Sequence, residues 1–598
     1  MNTTLILIAA TLMSAPEATE LRTECPKPES WTFAVSRTED AAGREVFTVA
    51  LKSPVPAQPP TFDAFFTVSG ADAHNCWVPI YEQNERSRLY ATEWGATRYL
   101  SALAQIAPVC CAFNEADGNR LLIAASECMR TVNFGISCHS TDARLEGRFR
   151  FFTQPEAPRT DYEVKILVDR RPVFFGRAIS EATRWIEATA GLRPCRVPEA
   201  AFEPLYSSWY AFWQDVHGAR LEAEAREAAA LGMKSMILDD GWQKLKSRST
   251  YSATGDWMPV AERFPDFRRH VDAVHAAGIE KYILWLSVPF VGVESAAYAR
   301  FEKMFLWKSS GHGVLDPRFP EVRKYLIDTY VRCVRDWDFD GLKLDFIDAI
   351  ATGSDRAIAE NWRGRDCKTV SEGVDRLMKD VYATLTAIKP DLLIEFRQRY
   401  IGPAIRQYGN MLRATDCPSD LVGNRRRIAD VRLMAGSTSV HADMLVWSPD
   451  DTPEDAARVV LNAIFGVVQY SMRLSEIPAD HKRMIRHWID FANRHRAALL
   501  KGEFRPHHPE LMYPWIESFD DRERIAAVYG DDVIVPVAGG RATYLLNATK
   551  SGEVAVDLSA PAEVTAYDVF GGKVRTFSAD KGLRRLACPV SGYLAFRF

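Results

Sequence analysis

The chain has 598 residues, which is too long for one hydrophobic core, so about two to four domains are expected. Its composition, 47% hydrophobic and 25% charged, is ordinary for a globular protein. A net charge of −4 without basic runs gives no sign of a nucleic-acid partner, and no apolar stretch is long enough to span a membrane.

The first 16 residues, MNTTLILIAATLMSAP, are apolar after a short polar start. Small residues near Ala15 or Ala18 would suit a secretory signal, whereas the absence of Lys and Arg favours an opening β-strand. The eleven cysteines show no CxxC or Cys/His metal spacing, so free thiols and a reducing compartment are expected. A cytoplasmic location is therefore slightly favoured, and a secreted or periplasmic one follows if residues 1–18 are a signal peptide.

Residues 20–195 are predicted to form an N-terminal β-sandwich. Short runs rich in Phe, Val and Thr are broken by Gly, Pro and Asp, as in a sandwich of many strands. The clearest runs are SWTFAVSR, EVFTVALK, FDAFFTVSG, GRFRFFTQ and DYEVKILVD. The segment FGRAISEATRWIEATAG then predicts a helix that leaves this domain.

Residues 200–500 alternate between strand and helix patterns eight times, which predicts a (β/α)₈ TIM barrel of the α/β class. The spacing of strand and helix patterns is irregular after the second, third and fourth strands, which predicts insertions there. The predicted strands span 205–213, 235–242, 281–289, 341–346, 392–398, 411–416, 437–444 and 467–473.

Residues 501–598 return to β patterns such as DVIVPVAG, RATYLLNAT and GYLAFRF. These short alternating runs predict a C-terminal antiparallel β-sandwich.

The stretch DGLKLDF in the fourth barrel strand places two charged residues, Lys343 and Asp345, on the face opposite Leu342 and Leu344. A structural ion pair explains one such case. However, polar and aromatic residues end seven of the eight predicted strands, and these ends share one rim, where barrel active sites lie. The candidates, in chain order, are Trp209, Asp239, Asp240, Trp242, Trp285, Lys343, Asp345, Glu395, Arg397, Arg399, Arg413, Asp416, Asp420 and Asp443.

Carboxylates, arginines and tryptophans together suit a neutral sugar, because indole rings pack on its C–H faces and charged groups bind its hydroxyls. Hydrolysis of a glycosidic bond requires two carboxylates that flank it. Asp345 is the better nucleophile candidate, since the neighbouring charge of Lys343 would keep it ionised. Asp416 or Asp420 is the better acid, on a loop where burial could raise the pKa; Asp420 could equally cap the following helix.

The chain resembles clan D of the glycoside hydrolases, most closely family 36, the α-galactosidase and raffinose-synthase group. The matching stretches are ILDDGWQ, GDW, RFPDF, LDPRFPEVRKYL, DGLKLDF and RATD, and the similarity extends to all three domains. The resemblance implies that Asp345 is the nucleophile and Asp416 the acid/base. It also implies that Asp239 and Asp240 bind the 4- and 6-hydroxyls and that Trp242 lines the pocket.

One stretch departs from the family pattern. Many members carry a Cys and a Gly-rich loop after the fifth strand, near the 2-substituent of the sugar, whereas this chain has IEFRQRYIGP. Glu395, Arg397 and Arg399 are therefore expected to replace that recognition, which leaves galactose and N-acetylgalactosamine both open.

The expected activity is a retaining hydrolase that removes terminal α-linked galactose from small galactosides, without cofactor or metal. The alternatives are a glycosidase or transglycosylase for another α-linked sugar, a non-catalytic carbohydrate-binding protein, and a metal-dependent barrel enzyme with Asp240, Asp345 and Glu395 as ligands. The resemblance also implies a homo-oligomer.

Overall fold

A computed structural model of the protein describes residues 19–70, 72–79, 91–243, 251–350, 364–397 and 399–598. The apolar segment 1–18 lies outside these residues, so the expectations about it stay predictions. Within the described ranges, no helix combines the length and the apolar character that crossing a bilayer would require.

The N-terminal domain consists of two six-stranded sheets, most of whose strands pair antiparallel. Phe66 and Phe149 of one sheet and Val49 and Ile123 of the other are fully or almost fully buried in one shared core. In sheet order the strands of the first sheet are Arg22–Glu24, Phe62–Ser69, Arg144–Phe151, Val132–Cys138 and Ala91–Thr92, with Tyr99–Ser101 beside the fourth. Those of the second are Thr32–Glu39, Glu45–Ala57, Arg159–Asp169, Asn119–Ala125, Val109–Phe113 and Asn75–Trp77.

A helix, Phe175–Thr189, connects this sandwich to the barrel, as the sequence predicts. Its buried residues Phe175, Ile179 and Ile186 recur at helical spacing and therefore form one apolar face.

The central domain is a barrel of eight parallel strands. Its seventh and eighth strands meet only through isolated parallel bridges, His441 to Val467 and Leu445 to Tyr470, which close the barrel. The strands are Leu205–Ser207, Ser235–Leu238, Lys281–Ser287, Gly341–Asp345, Leu393–Arg397, Met411–Arg413, Ser439–His441 and Gln469–Tyr470.

The α-helices of this region are Trp209–Phe212, Gly218–Ala230, Phe267–Ala276, Ala296–Phe301, Pro320–Val331, Val370–Ile388, Leu421–Met434, Pro453–Ala463, Ala479–Arg494 and Arg496–Lys501. A three-stranded sheet of Phe290–Gly292, His312–Leu315 and Phe305–Lys308 follows the third barrel strand, at one of the predicted insertions.

The C-terminal domain is a β-sandwich of a seven-stranded and a three-stranded sheet. Most neighbours pair antiparallel, and one pair in each sheet is parallel. In sheet order the strands are Glu503–His507, Trp515–Phe519, Glu523–Val528, Ala542–Asn547, Tyr593–Arg597, Ala562–Tyr567 and Lys573–Ala579, then Ile534–Val537, Glu553–Leu558 and Gly582–Ala587. The expected architecture, a TIM barrel flanked by β domains, is confirmed.

The barrel strands are shorter than the sequence pattern predicts. The first ends at Ser207 rather than at residue 213, and Trp209–Phe212 form a helical turn. The backbone N–H of Tyr210 donates to the Ser471 hydroxyl at 2.9 Å, so a side chain replaces the sheet partner. Apolar alternation therefore extends past the point where the hydrogen-bond ladder stops.

Candidate active site

Asp345, the last residue of the fourth barrel strand, lies among several hydrogen-bond donors. Its Oδ1 accepts from Arg397 Nε at 2.5 Å, from the backbone N–H of Phe346 at 2.8 Å and from the Tyr400 hydroxyl at 3.2 Å. Its Oδ2 accepts from Trp285 Nε1 at 3.2 Å. Phe346 has a φ of 61°, a left-handed conformation that is unusual for a bulky residue.

The pKa of the Asp345 carboxyl is lowered even though burial opposes ionisation, because the charges of Arg397 and Lys343 outweigh that penalty. Lys343 therefore helps as expected, but its direct partner is a different residue: its Nζ lies 2.6 Å from Asp239 Oδ2 and 4.0 Å from Glu395 Oε1. The guanidinium that touches Asp345 belongs to Arg397, on the neighbouring strand.

Register explains how these residues meet. Trp285 is the strand partner of Lys343, and Lys343 is the partner of Glu395, so three adjacent strands present them at one level of the barrel. Glu395 is fully buried, and its Oε2 accepts from Gln469 Nε2 at 2.6 Å. The neighbours of Glu395 are thus Lys343, Arg413 and Gln469, and its contact with the sugar stays a prediction.

Asp239 and Asp240 are 3% and 2% exposed. The two carboxylates differ in their partners, since Asp239 pairs with Lys343 whereas Asp240 accepts from Gln214 at 2.6 Å and Gln243 at 2.7 Å. Burial raises the pKa of Asp240 to about 6, although both amides oppose the shift. Asp239 is therefore held in an ion pair, and Asp240 is surrounded by neutral donors.

Arg413 joins two carboxylates of the sixth and seventh strand ends. Its Nη2 donates to Asp416 Oδ1 at 2.9 Å, and its Nη1 donates to Asp443 Oδ1 at 2.5 Å. Asp443 is fully buried and also accepts from the Tyr210 hydroxyl and from the backbone N–H of Cys417. This arrangement ties the Asp416 loop to the barrel.

The expectation that burial raises the pKa of Asp416 is wrong in this structure. Burial acts in that direction, but the charge of Arg413 outweighs it and lowers the pKa of Asp416 to about 2. Asp443 differs, because full burial raises its pKa to about 6 against the pull of the same arginine. The Asp416 side chain remains 53% exposed, so a ligand can reach it.

Asp420 caps the helix Leu421–Met434, and its Oδ1 accepts from the Gly423 N–H at 2.8 Å. Asp420 therefore has the helix-cap position that the sequence offered as an alternative.

The aromatic candidates occupy three different positions. Trp209 is half-buried and packs on the exposed Trp213 with ring centroids 4.9 Å apart. Trp285 is buried and touches Asp345. Trp242 is fully buried between Trp257 and Phe267, and its Nε1 donates to a backbone carbonyl. The side chain of Trp242 thus packs in the core among the described residues, and its place in the pocket lining stays a prediction.

Several contributing residues were missed in the sequence. The candidate carboxylates also contact residues whose type and spacing did not mark them as site residues: Tyr210, Tyr400, Gln214, Gln243 and Gln469. Asp348, in the turn after Asp345, is another, and Arg399 Nε lies 3.7 Å from it. Among the described residues, Asp240, Asp345 and Glu395 do not come together as a metal-ligand group.

A family model described as Melibiase matches residues 202–502, which span the barrel. The chain belongs to the melibiase family. This match confirms the resemblance to α-galactosidases seen in the sequence.

Two curated relatives are similar in sequence to part of the chain. Alpha-galactosidase C of Emericella nidulans is 29% identical over 215 residues, which cover 32% of this chain and 26% of the relative. The A type blood alpha-D-galactosamine galactosaminidase of Flavonifractor plautii is 26% identical over 177 residues, which cover 26% of this chain and 15% of the relative. The matches thus span about a quarter of the length of the first relative and less of the second.

Among solved structures, a variant of the GH36 alpha-galactosidase AgaA from Geobacillus stearothermophilus in complex with stachyose superposes with a TM-score of 0.61. The identity is 14%, and the match covers 97% of this chain and 87% of that chain. At such low identity, the superposition shows a shared fold.

Proposed function

We propose that the protein is a retaining glycoside hydrolase that removes terminal α-linked galactose from small galactosides by double displacement. The observation that carries this proposal is the pair Asp345 and Asp416 at the ends of two barrel strands. The charge of Asp416 opposes the net lowering of the pKa of Asp345, which is consistent with two carboxylates that interact across one pocket. The choice of galactose as the sugar comes from the names of the relatives.

In the first step, an oxygen of Asp345 attacks the anomeric carbon while Asp416 gives a proton to the departing oxygen. In the second, water attacks the same carbon, Asp416 takes a proton from that water, and the carboxylate of Asp345 is released. Tryptophans at the mouth, Trp209 and Trp213, offer apolar faces for the sugar ring.

This mechanism requires Asp416 to carry a proton when the substrate is bound. In the free protein Arg413 opposes that. The side chain of Asp416 is half-exposed, so a sugar placed against it would remove water and raise its pKa. In this proposal, substrate binding therefore raises the pKa of Asp416, so that Asp416 can act as the acid.

A second candidate substrate class is α-D-galactosaminide. One relative bears that activity in its name. In addition, Oδ1 of Asp348 is buried and has no hydrogen-bond donor among the described residues, although Arg399 lies beside the other oxygen. An ammonium group at the 2-position of the sugar would supply such a donor.

A panel of aryl α-glycosides tests these proposals. It contains galactose, galactosamine, N-acetylgalactosamine and glucose as the sugar, with and without a chelator. We expect the highest kcat/KM on the galactoside and no loss of activity with chelator. NMR should show that the α-anomer of the sugar is released first. Turnover of none of the four sugars would refute the hydrolase, and release of the β-anomer would refute retention.

A further inference from the structure

The two oxygens of Asp345 have unequal surroundings. Oδ1 accepts from Arg397 and from the backbone N–H of Phe346, and it shares the Tyr400 hydroxyl proton with the Leu344 carbonyl, whereas Oδ2 accepts only from Trp285 among the described residues. An oxygen with two full donors and a shared third has little lone-pair density left for bond formation. Oδ2 is therefore the oxygen that is free to react.

Arg397 is held in place on several sides. It ends the fifth barrel strand, and its guanidinium lies 5.0 Å from the ring centroid of Phe346 and 5.7 Å from that of Tyr400. The side chain is only 17% exposed. A restrained, largely desolvated guanidinium interacts with a carboxylate more strongly than an exposed one does.

We propose that Arg397 is a positioning residue that binds the Oδ1 of Asp345 so that the ester formed at Oδ2 is short-lived. This inference rests on the proposed double displacement and assigns to Arg397 a role in the reaction cycle rather than in sugar recognition.

The charge on Asp345 changes through the reaction cycle. In the free protein the carboxylate is an anion, and the contact with Arg397 is an ion pair with a hydrogen bond. When Oδ2 bonds to the anomeric carbon and the bond to the departing oxygen breaks, Oδ1 becomes the carbonyl oxygen of a neutral ester. Arg397 then contacts a weaker acceptor, so it stabilises the free carboxylate more than the ester.

The two half-reactions respond in opposite directions. Arg397 slows ester formation, because the attacking carboxylate gives up part of its ion pair. It speeds ester breakdown, because the electron pair of the C–Oδ2 bond returns to a carboxylate whose charge Arg397 stabilises. The protein thereby avoids accumulating the glycosyl ester.

The test compares wild type with Arg397→Met, which removes the charge and the donor at similar length. With a dinitrophenyl α-galactoside we expect kcat to fall by about 10- to 100-fold, which corresponds to the loss of one charge-assisted hydrogen bond. The ratio kcat/KM should stay level or rise. KM should fall with kcat. A burst of dinitrophenol near one equivalent per site, with the mass increase of the intact protein that a glycosyl ester gives, should appear in the variant alone.

Two further variants separate this role from a structural one. Arg397→Lys keeps the charge and should restore most of kcat and abolish the burst. Tyr400→Phe removes a neutral donor from the same oxygen, so it should shift kcat and KM in the same direction but by less. Azide should raise kcat of Arg397→Met, because it attacks an ester that accumulates.

Parallel loss of kcat and kcat/KM in Arg397→Met, without burst and without azide acceleration, would overturn the proposal. If the lysine variant behaves like the methionine variant, the charge is not responsible and the inference also fails. Absence of turnover in the wild type on every aryl α-glycoside would instead refute the proposed function, so the two failures are distinguishable.

Discussion

The guanidinium of Arg413 lies 2.9 Å from the carboxylate of Asp416 and holds that group as an anion in the free protein. The same guanidinium contacts Asp443 at 2.5 Å, so its position is fixed by a fully buried anchor. Asp345 also has an arginine partner. Each carboxylate of the proposed mechanism thus starts ionised, and the two differ in how far solvent and ligand can reach them.

Replacement of Asp345 by Asn should abolish turnover. The amide has nearly the same shape but cannot form the glycosyl ester, so kcat should fall by more than about a thousandfold. Steady-state kinetics on an aryl α-galactoside measures the loss, and circular dichroism checks the fold. Asp272→Asn, an exposed carboxylate on an outer helix, serves as the control and should retain wild-type kinetics. Activity near wild type in Asp345→Asn would remove Asp345 from the mechanism.

Asp239 and Asp240 should make the protein distinguish an axial from an equatorial 4-hydroxyl. Both carboxylates are buried, and a buried acceptor that loses its hydroxyl partner is left without compensation. We expect kcat/KM for the α-glucoside to be lower than for the α-galactoside by at least about a hundredfold. Similar values for the two sugars would contradict the assignment to galactose.

Asp240 should make folding stability depend on pH. Burial raises its pKa to about 6. The folded state holds the proton more tightly, so its contribution to stability is complete below the unfolded pKa of about 4 and is lost as pH rises through about 6. The loss amounts to about 2–3 kcal/mol. Thermal unfolding midpoints at about pH 4 and about pH 7.5 measure it.

Asp240→Asn removes this titration, so its midpoint should change less between the two pH values than that of wild type. Asp443, whose pKa is also raised to about 6, keeps its own contribution in the variant, so part of the pH dependence should persist. Asp272→Asn should retain the full wild-type change. If Asp240→Asn shows the same pH dependence as wild type, the raised pKa is refuted.

The sequence predicts the barrel and the rim of polar residues because strand alternation and strand-end position both leave clear patterns. It does not predict which partners meet. Alternation places Lys343 and Asp345 on one face, and the structure then pairs Lys343 with Asp239 and Asp345 with Arg397. Such choices depend on the register between strands that are far apart in the chain.

Aromatic residues show the same limit. Trp242 and Trp285 both follow apolar strand patterns, yet the indole N–H of the first bonds to a carbonyl in the core and that of the second to Asp345. Tyr210 and Tyr400 lie outside the strands that form, and alternation in the sequence does not show that their hydroxyls reach the carboxylates. The cap at Asp420 is an exception, because an Asp three residues before a Gly at a helix start has a recognisable local role.

Replacement of Asp416 and of Asp420 should affect activity differently, according to the leaving group of the substrate. A proton donor is needed most when the departing oxygen is a poor leaving group, as in a natural disaccharide, and hardly at all for dinitrophenolate. Asp416→Ala should therefore lose about 100- to 10,000-fold in kcat/KM on a disaccharide and much less on the dinitrophenyl α-galactoside. Azide should accelerate the activated substrate in this variant, because it attacks the ester without a general base.

Asp420→Ala is the matched control, four residues away on the same loop. It removes a helix cap, so the free energy of unfolding should fall by about 1 kcal/mol while both substrates are affected alike and azide has no effect. Kinetics on the two substrates, together with thermal unfolding, distinguishes the two roles. If Asp420→Ala shows the steep dependence on leaving group and Asp416→Ala does not, then Asp420 is the acid, and the ion pair between Arg413 and Asp416 serves the fold of the loop.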